Sequence, residues 1–461
     1  MMAPVTNFAV KDTNTYLEGF GSYHQSEAVP GACPKVNNSP QRPPFGLRTE
    51  RISGSSFTSP RGKSYHTWLY RINGSLIHGD FTPLEEDTES PDKSRPQHLT
   101  PNAYKWPQFP LEEQADWLGQ KLLARNADPQ SKTGTAIWIF SVTKDMSMNT
   151  AFCSLDGETL IVPHTGALDI QTELGRLLVR QNEFAVIPSG IRYRVTLPEG
   201  RPCRGYICEL FQGHWELPNL GVIGSTGLAN IRDFQIPTAH FDGEVVEDGN
   251  GGRIAKANNN IEAHGDWTII SRLSGRLWSC NQDHTPFDVV AWHGTCYPYK
   301  YDFARYCILA NAMFDEHDPS LYTVLTAPAY GSAPGTAVVD FAIVPPRWQM
   351  AEDTFWPPYY HRNTMQEFVG TVVNEQSSDS PLNDGSKFHP FGAATLSRFT
   401  PHGPTESEFV AARSLDTMTP QKVQTDGFFY IVLETEKPWY LTDWAYQNAV
   451  KNFNGKGNPL K

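Results

Sequence analysis

Between residues 135 and 215 the chain is cut into short β-rich runs spaced about ten residues apart, and that cadence constrains the fold more than any other feature. Residues 136–140, 158–162, 166–171, 176–179, 183–187 and 192–197 are rich in β-branched and aromatic side chains, with Gly, Pro, Asn or Asp between them. Runs of this length cannot bury their apolar faces singly. They predict a sandwich or small barrel.

A second series covers 287–292, 323–325, 337–344, 367–373 and 428–433, so two β-barrel-like halves are expected, divided near residue 280. Residues 1–60 are polar and turn-rich and predict an arm of loops and short strands; 65–72 alternates well enough for a strand, and 79–105 reads as loop. The stretch 111–124 has helical spacing through Leu111, Trp117, Leu118, Leu122 and Leu123. A Ser/Asp/Asn-rich run over 375–387 marks a long loop. Gly and Pro number 36 each, with 12 Trp, 18 Tyr and 25 Phe, which favours strands and turns over long helices.

Composition narrows the partners. Charged residues make up 19% and apolar residues 39%, as in a globular chain, and 38 basic against 50 acidic residues leave −12 with no basic stripe for nucleic acid. The seven cysteines are scattered without a CxxC pair, which predicts buried, reduced thiols in a cytosolic protein. No signal-peptide core and no apolar run of membrane-spanning length appear, so neither a leader nor a membrane partner is expected.

The chemistry concentrates near the C-terminal end. His361 and Glu367 are six residues apart, and His402 follows in Thr400-Pro401-His402-Gly403-Pro404. Two imidazoles and one carboxylate can hold a ferrous ion on one face and leave the opposite face to substrate and dioxygen. On a strand, an even separation would point His361 and Glu367 to the same side, and His402 would come from a neighbouring strand end. Spacing alone serves a solvent-facing strand pair and a surface histidine equally well. His240, His264, His284 and His317 lie in polar turns and are expected to be solvated.

Blocks along nearly the whole chain resemble the homogentisate 1,2-dioxygenase family. They include Tyr16-Leu17-Glu18-Gly19-Phe20-Gly21, Ser53-Gly54-Ser55-Ser56-Phe57-Thr58-Ser59-Pro60-Arg61, Trp68-Leu69-Tyr70-Arg71-Ile72 and Gly227-Leu228-Ala229-Asn230-Ile231-Arg232-Asp233-Phe234. The second half adds Val290-Ala291-Trp292-His293-Gly294 and Pro357-Pro358-Tyr359-Tyr360-His361-Arg362-Asn363. The resemblance implies a mainly-β fold of two cupin-like domains: an N-terminal arm with a metal-free β domain over 1–280, and an Fe(II)-bearing domain over 281–461. It implies His361, Glu367 and His402 as iron ligands, His293 as the active-site histidine that moves a proton, and Asn363 on the substrate. It further implies a cytoplasmic homo-oligomer, a trimer or a hexamer of paired trimers, acting on dioxygen and a small para-hydroquinone.

One segment departs from the family pattern. Where the family carries a tyrosine on a substrate hydroxyl and a lysine on the acetate carboxylate, this chain has Gln376 and Asp379; Lys387 or His389 offers a replacement cation. An anion where a carboxylate should dock is unfavourable by charge alone. The reading is therefore a ring-opening dioxygenase that cleaves between the substituted and hydroxylated carbons. Its substrate is expected to carry a neutral substituent such as methoxy or alkyl, with Gln376 among the contacts. The alternatives are homogentisate itself, a larger polyketide-derived hydroquinone, and a non-catalytic bicupin binding protein.

Overall fold

A computed structural model describes residues 6–35, 42–84, 97–110, 112–221, 224, 228–257, 266–306, 308, 318–329, 331–333, 335–349, 359–372, 391–404, 406–416, 418–423 and 429–451. As the cadence predicts, the chain is mainly β, with α-helices among the described residues only at Glu406–Ala412 and Asp443–Asn448. The predicted runs become the strands Thr135–Val142, Glu158–Thr165, Ala167–Thr172, Gly175–Arg180, Glu183–Ile187 and Tyr193–Thr196.

These strands sort into a nine-stranded and a seven-stranded sheet that share one large core with the C-terminal strands. Thr135–Val142 is buried at every position, which is why it reads as an unbroken apolar run rather than an alternating one. A separate four-stranded sheet orders His24–Glu27, Val289–Gly294, His66–Arg71 and Arg48–Ser53. Its Arg71 is fully buried and bonds to Asp288, Glu173 and Glu50.

The C-terminal seven-stranded sheet runs Thr323–Pro328, Ala337–Val344, Phe429–Thr435, Gln366–Val372, Ala393–Leu396, Tyr104–Trp106 and Val450–Lys451. Phe429–Thr435 alternates strictly: Phe429, Ile431, Leu433 and Thr435 are buried, while Tyr430, Val432 and Glu434 occupy the more open face. Strands cross between the halves. Tyr104–Trp106 completes the C-terminal sheet, Tyr440–Leu441 pairs with Lys121–Arg125 in the first half, and Val289–Gly294 and Tyr299–Asp302 pair with N-terminal strands.

Three expectations need correction. No helix spans 112–124: Asp116 caps a single 3-10 turn at Trp117–Gly119, and Lys121–Arg125 is a bulged strand on Thr135–Val142. Leu122 and Leu123 are adjacent apolar residues, a pattern a bulged strand produces as readily as a helix. Within 79–105 the described residues include the strands Thr82–Pro83 and Tyr104–Trp106. His284 is buried at 7% exposure, not solvated, because Gln282 and Thr285 pack the turn around it. His264, His317 and Cys307 lie outside the described residues, and the other six cysteines are buried and free. Among the described residues no helix is long and apolar enough to cross a membrane.

Candidate metal centre

His361, Glu367 and His402 converge, with one potential ligand atom from each lying within 4.8 Å of the others. His402 Nε2 is 3.2 Å from Glu367 Oε2, and His361 Nε2 is 4.0 Å from Glu367 Oε1. Ligand atoms about 2.1 Å from one ion and at right angles stand ~3 Å apart. The first edge of the triangle already has about that length, and the second, at 4.0 Å, is longer by about an ångström.

The route to this convergence differs from the sequence reading. Only Glu367 sits on a strand, Gln366–Val372; a bend at Thr364 and Met365 separates it from His361. His361 instead forms a two-residue bridge with His402, each backbone N–H donating to the other's carbonyl at 2.9 and 3.1 Å. Gly403 makes that approach possible: a Cβ there would come within 2.9 Å of Tyr360 Cα. The two imidazoles end with centroids 4.0 Å apart.

Each imidazole is held in one tautomer. His361 Nδ1 lies 3.1 Å from the Tyr359 carbonyl and His402 Nδ1 2.9 Å from the Thr400 carbonyl, so each Nδ1–H donates and each Nε2 lone pair faces Glu367. His402 Nε2 is buried without a hydrogen-bond partner despite its closeness to Glu367. Two imidazole nitrogens turned on one buried carboxylate are a donor set that a cation would satisfy, so the residues present fit a metal ion.

Burial pushes the Glu367 carboxyl up, but His402, Asn363 and His361 outweigh it and hold the group below its ordinary range. The reverse applies to His402: burial lowers its proton affinity and Glu367 raises it further. Asn363 donates through Nδ2 to Glu367 Oε1, so it orients the carboxylate. Behind the strand, Gln366 donates to Thr395 Oγ1 at 2.9 Å, and its own carbonyl accepts from Trp439 N at 2.7 Å.

Two acids missed by the sequence reading share this face. Glu434 stands opposite Glu367 across one strand pair and Asp340 opposite Glu434 across the next. Burial, then Glu367 and Asp340, push Glu434 up to about 7. Among the described residues neither Glu434 nor Asp340 forms an ion pair with Lys or Arg. The alternation of Phe429–Thr435 was the available signal, since it sets Glu434 off the core face.

His293 lies on the four-stranded sheet, between Gln25 and Trp68 in register. Its Nδ1 meets the Tyr23 hydroxyl and its Nε2 the Tyr70 hydroxyl at 3.0 Å. Burial, then His66, lower its proton affinity. Gln376, Asp379, Lys387 and His389 fall outside the described residues.

A mainly-β frame that gathers two histidines and a carboxylate, with the outer nitrogens pinned, is of the class that could hold a single metal ion. Sequence models of the homogentisate 1,2-dioxygenase family match the chain from end to end, the N-terminal one over residues 15–303 and the C-terminal one over 304–459. The homogentisate 1,2-dioxygenase of Emericella nidulans is 46% identical over 97% of this chain and 94% of its own length. That of Caenorhabditis elegans is 41% identical over 98% of both, and that of Drosophila melanogaster 40% identical over 95% and 94%. The chain belongs to the homogentisate 1,2-dioxygenase family, and it is an aromatic ring-cleaving dioxygenase. Solved structures overlie it weakly: a cupin 2 conserved barrel domain protein from Leptotrichia buccalis covers 70% of this chain and 90% of its own at TM-score 0.25 and 10% identity, too low to carry an argument.

Proposed function

We propose that the chain is an Fe(II)-dependent homogentisate 1,2-dioxygenase. The iron is held by His361, Glu367 and His402, and the ring opens between its substituted carbon and the adjacent hydroxylated carbon. The observation that carries this reading is the convergence of those three side chains within 4.8 Å, with the Nε2 atoms of both imidazoles turned toward the Glu367 carboxylate. Ferrous iron, when bound, supplies adjacent positions for phenol and dioxygen and a path for electrons between them.

The rest falls to the protein. The Tyr359 and Thr400 carbonyls fix the two imidazoles, Asn363 aims the Glu367 carboxylate, and Glu367 stays ionised because its neighbours outweigh burial. We read His293 as the group that takes a proton from a substrate hydroxyl, in exchange for one of the Tyr23 and Tyr70 hydroxyls its ring nitrogens now meet; burial, then His66, favour its neutral form. A phenolate gives up electrons more readily than a phenol. We further read the chain as a metal-free N-terminal β unit and an iron-bearing C-terminal one in a cytoplasmic homo-oligomer.

A second reading keeps the reaction and changes the substituent. The acids Glu434 and Asp340 share the face of Glu367 without an ion pair to Lys or Arg among the described residues, so an anionic substituent directed along that row would find no cation there. A hydroquinone carrying methoxy or alkyl needs no such cation, and Gln376 is then a substrate contact in place of the family's tyrosine.

Protein purified without air is expected to carry one iron per chain and to open homogentisate when air is admitted. Absence of stoichiometric iron would sink the reading in favour of a binding module. Turnover of methoxyhydroquinone above homogentisate would select the second reading; equal or better use of homogentisate removes it.

A further inference from the structure

We propose that Tyr206, seconded by His164, is a positioning residue for the metal hairpin: the N-terminal sheet sets the spacing between the strand that carries Glu367 and the strand that leads to His402. The proposal rests on the reading of His361, Glu367 and His402 as metal ligands.

Tyr206 lies on Cys203–Leu210 of the nine-stranded sheet and is 1% exposed. Its hydroxyl leaves that sheet and enters the other half. It sits 3.1 Å from the Thr371 carbonyl and 2.9 Å from the Gly392 carbonyl, and the Thr371 N–H approaches it at 3.3 Å. Those two residues face each other where the pairing of Gln366–Val372 with Ala393–Leu396 ends. The ring fills the space beneath: a Cβ on Gly370 would come within 3.2 Å of Tyr206 Cζ. Phe368 and Phe391 flank it with centroids at 5.9 and 5.5 Å.

His164 holds the returning strand from the same sheet. A bulge between Pro163 and Thr165 interrupts the pairing of its strand, and its Nε2 accepts from the Phe391 N–H at 2.9 Å. Phe391 needs holding, because its φ of 59° is in the left-handed region, which a bulky residue adopts only under strain. Its carbonyl accepts from Phe109 N at 3.0 Å, so both backbone groups of this turning residue are fixed from the first half.

These contacts bear on the metal ligands through the hairpin itself. Glu367 is four residues from Thr371 on one strand and stands opposite Leu396, from which the chain continues to His402. A twisted strand pair moves as a unit, so opening its mouth shifts Glu367 relative to the separately bridged imidazoles. The phenol thus acts on metal geometry without touching metal or substrate.

The test compares Tyr206→Phe with wild type by titrating the apoprotein with cobalt(II), which a nitrogen/oxygen site binds more tightly than ferrous iron. Temperature is kept well below both unfolding midpoints. Phenylalanine keeps the ring against Phe368 and Phe391 and removes only the hydroxyl. Cobalt affinity is expected to fall several-fold, less than the roughly tenfold loss of a partner bonded directly to a ligand. At saturating iron, KM for homogentisate is expected to rise several-fold while kcat changes less than about twofold. A lower melting point with unchanged cobalt affinity and KM would reduce Tyr206 to a packing residue and overturn the proposal. Should Tyr206→Phe fail to fold, His164→Leu carries the same test with the same outcomes. Failure of wild type to bind cobalt would instead strike the metal reading.

Discussion

Replacing Glu434 by glutamine tests the acidic row directly. Burial and the carboxylates of Glu367 and Asp340 raise Glu434 from the ordinary 4.5 to about 7 in the folded apoprotein. Below pH 4.5 the group is protonated whether the chain is folded or not, and contributes nothing. As pH rises past 4.5 the unfolded chain releases the proton while the folded one keeps it. Folding therefore loses about 1.4 kcal/mol per pH unit, reaching a ceiling of about 3 kcal/mol near pH 7. Partial access to solvent discounts this to roughly 1–2 kcal/mol. Glu434→Gln removes the titration, so its stability relative to wild type should rise by that amount between pH 4.5 and 7.5 and then level off. Urea unfolding of both apoproteins at half-unit pH steps measures the difference. A bound divalent cation offsets the repulsion, so adding cobalt(II) at pH 7.5 should shrink the advantage. A difference that is flat across the pH range, or that falls as pH rises, would show that Glu434 is not crowded by its neighbours.

Glu367→Gln should weaken cobalt binding by more than about a hundredfold in a calorimetric titration, because it removes a ligand rather than an outer partner. The same change should lower the His402 pKa in the apoprotein, followed by NMR, since Glu367 is what lifts it against burial. Gly403→Ala drives a Cβ against Tyr360 and should part the His361–His402 bridge, costing about tenfold in cobalt affinity with a small change in melting point. Arg71→Met strands Asp288, Glu173 and Glu50 around an empty charge and should cost about 3–5 kcal/mol in urea unfolding; a loss under about 1 kcal/mol would mean the network is not coupled.

The β cadence was legible because a strand's side-chain period is local. Glu183–Ile187 and Ala337–Val344 fall where their sequences place them, and most other runs differ by one or two residues at the ends. The stretch through Trp117 and Leu122 misled because one turn and one bulge counterfeit a helical period. That His361, Glu367 and His402 belong together was legible, but the geometry that joins them was not. Even spacing suggested one strand for His361 and Glu367, whereas a bend and a reciprocal bridge with His402 bring them together. Glu434, Asp340, Tyr206 and His164 stayed hidden because their roles depend on cross-strand register and on contacts between residues far apart in the chain. No periodicity encodes a neighbour about 165 residues away.

That long-range wiring also bears on why the C-terminal part of the chain is joined to a larger N-terminal part. Tyr104–Trp106 lies between Ala393–Leu396 and Val450–Lys451 in the C-terminal sheet, and Tyr440–Leu441 closes the edge of the nine-stranded sheet beyond Lys121–Arg125. The C-terminal part thus caps an edge of the first sheet and the N-terminal part supplies an inner strand of the second, so removing either would expose unpaired backbone along a strand. The side chains repeat the exchange at finer scale. Trp439 Nε1 donates to Thr135 Oγ1 and Trp106 Nε1 to the Ala445 carbonyl, both at 2.8 Å and both buried. The triangle of His361, Glu367 and His402, drawn from one strand, one isolated bridge and one Pro/Gly loop, has little rigidity of its own, because loops lack the extended pairing that stiffens a sheet. Packing that sheet on a second, extensively buried one supplies the stiffness that the three side chains lack locally.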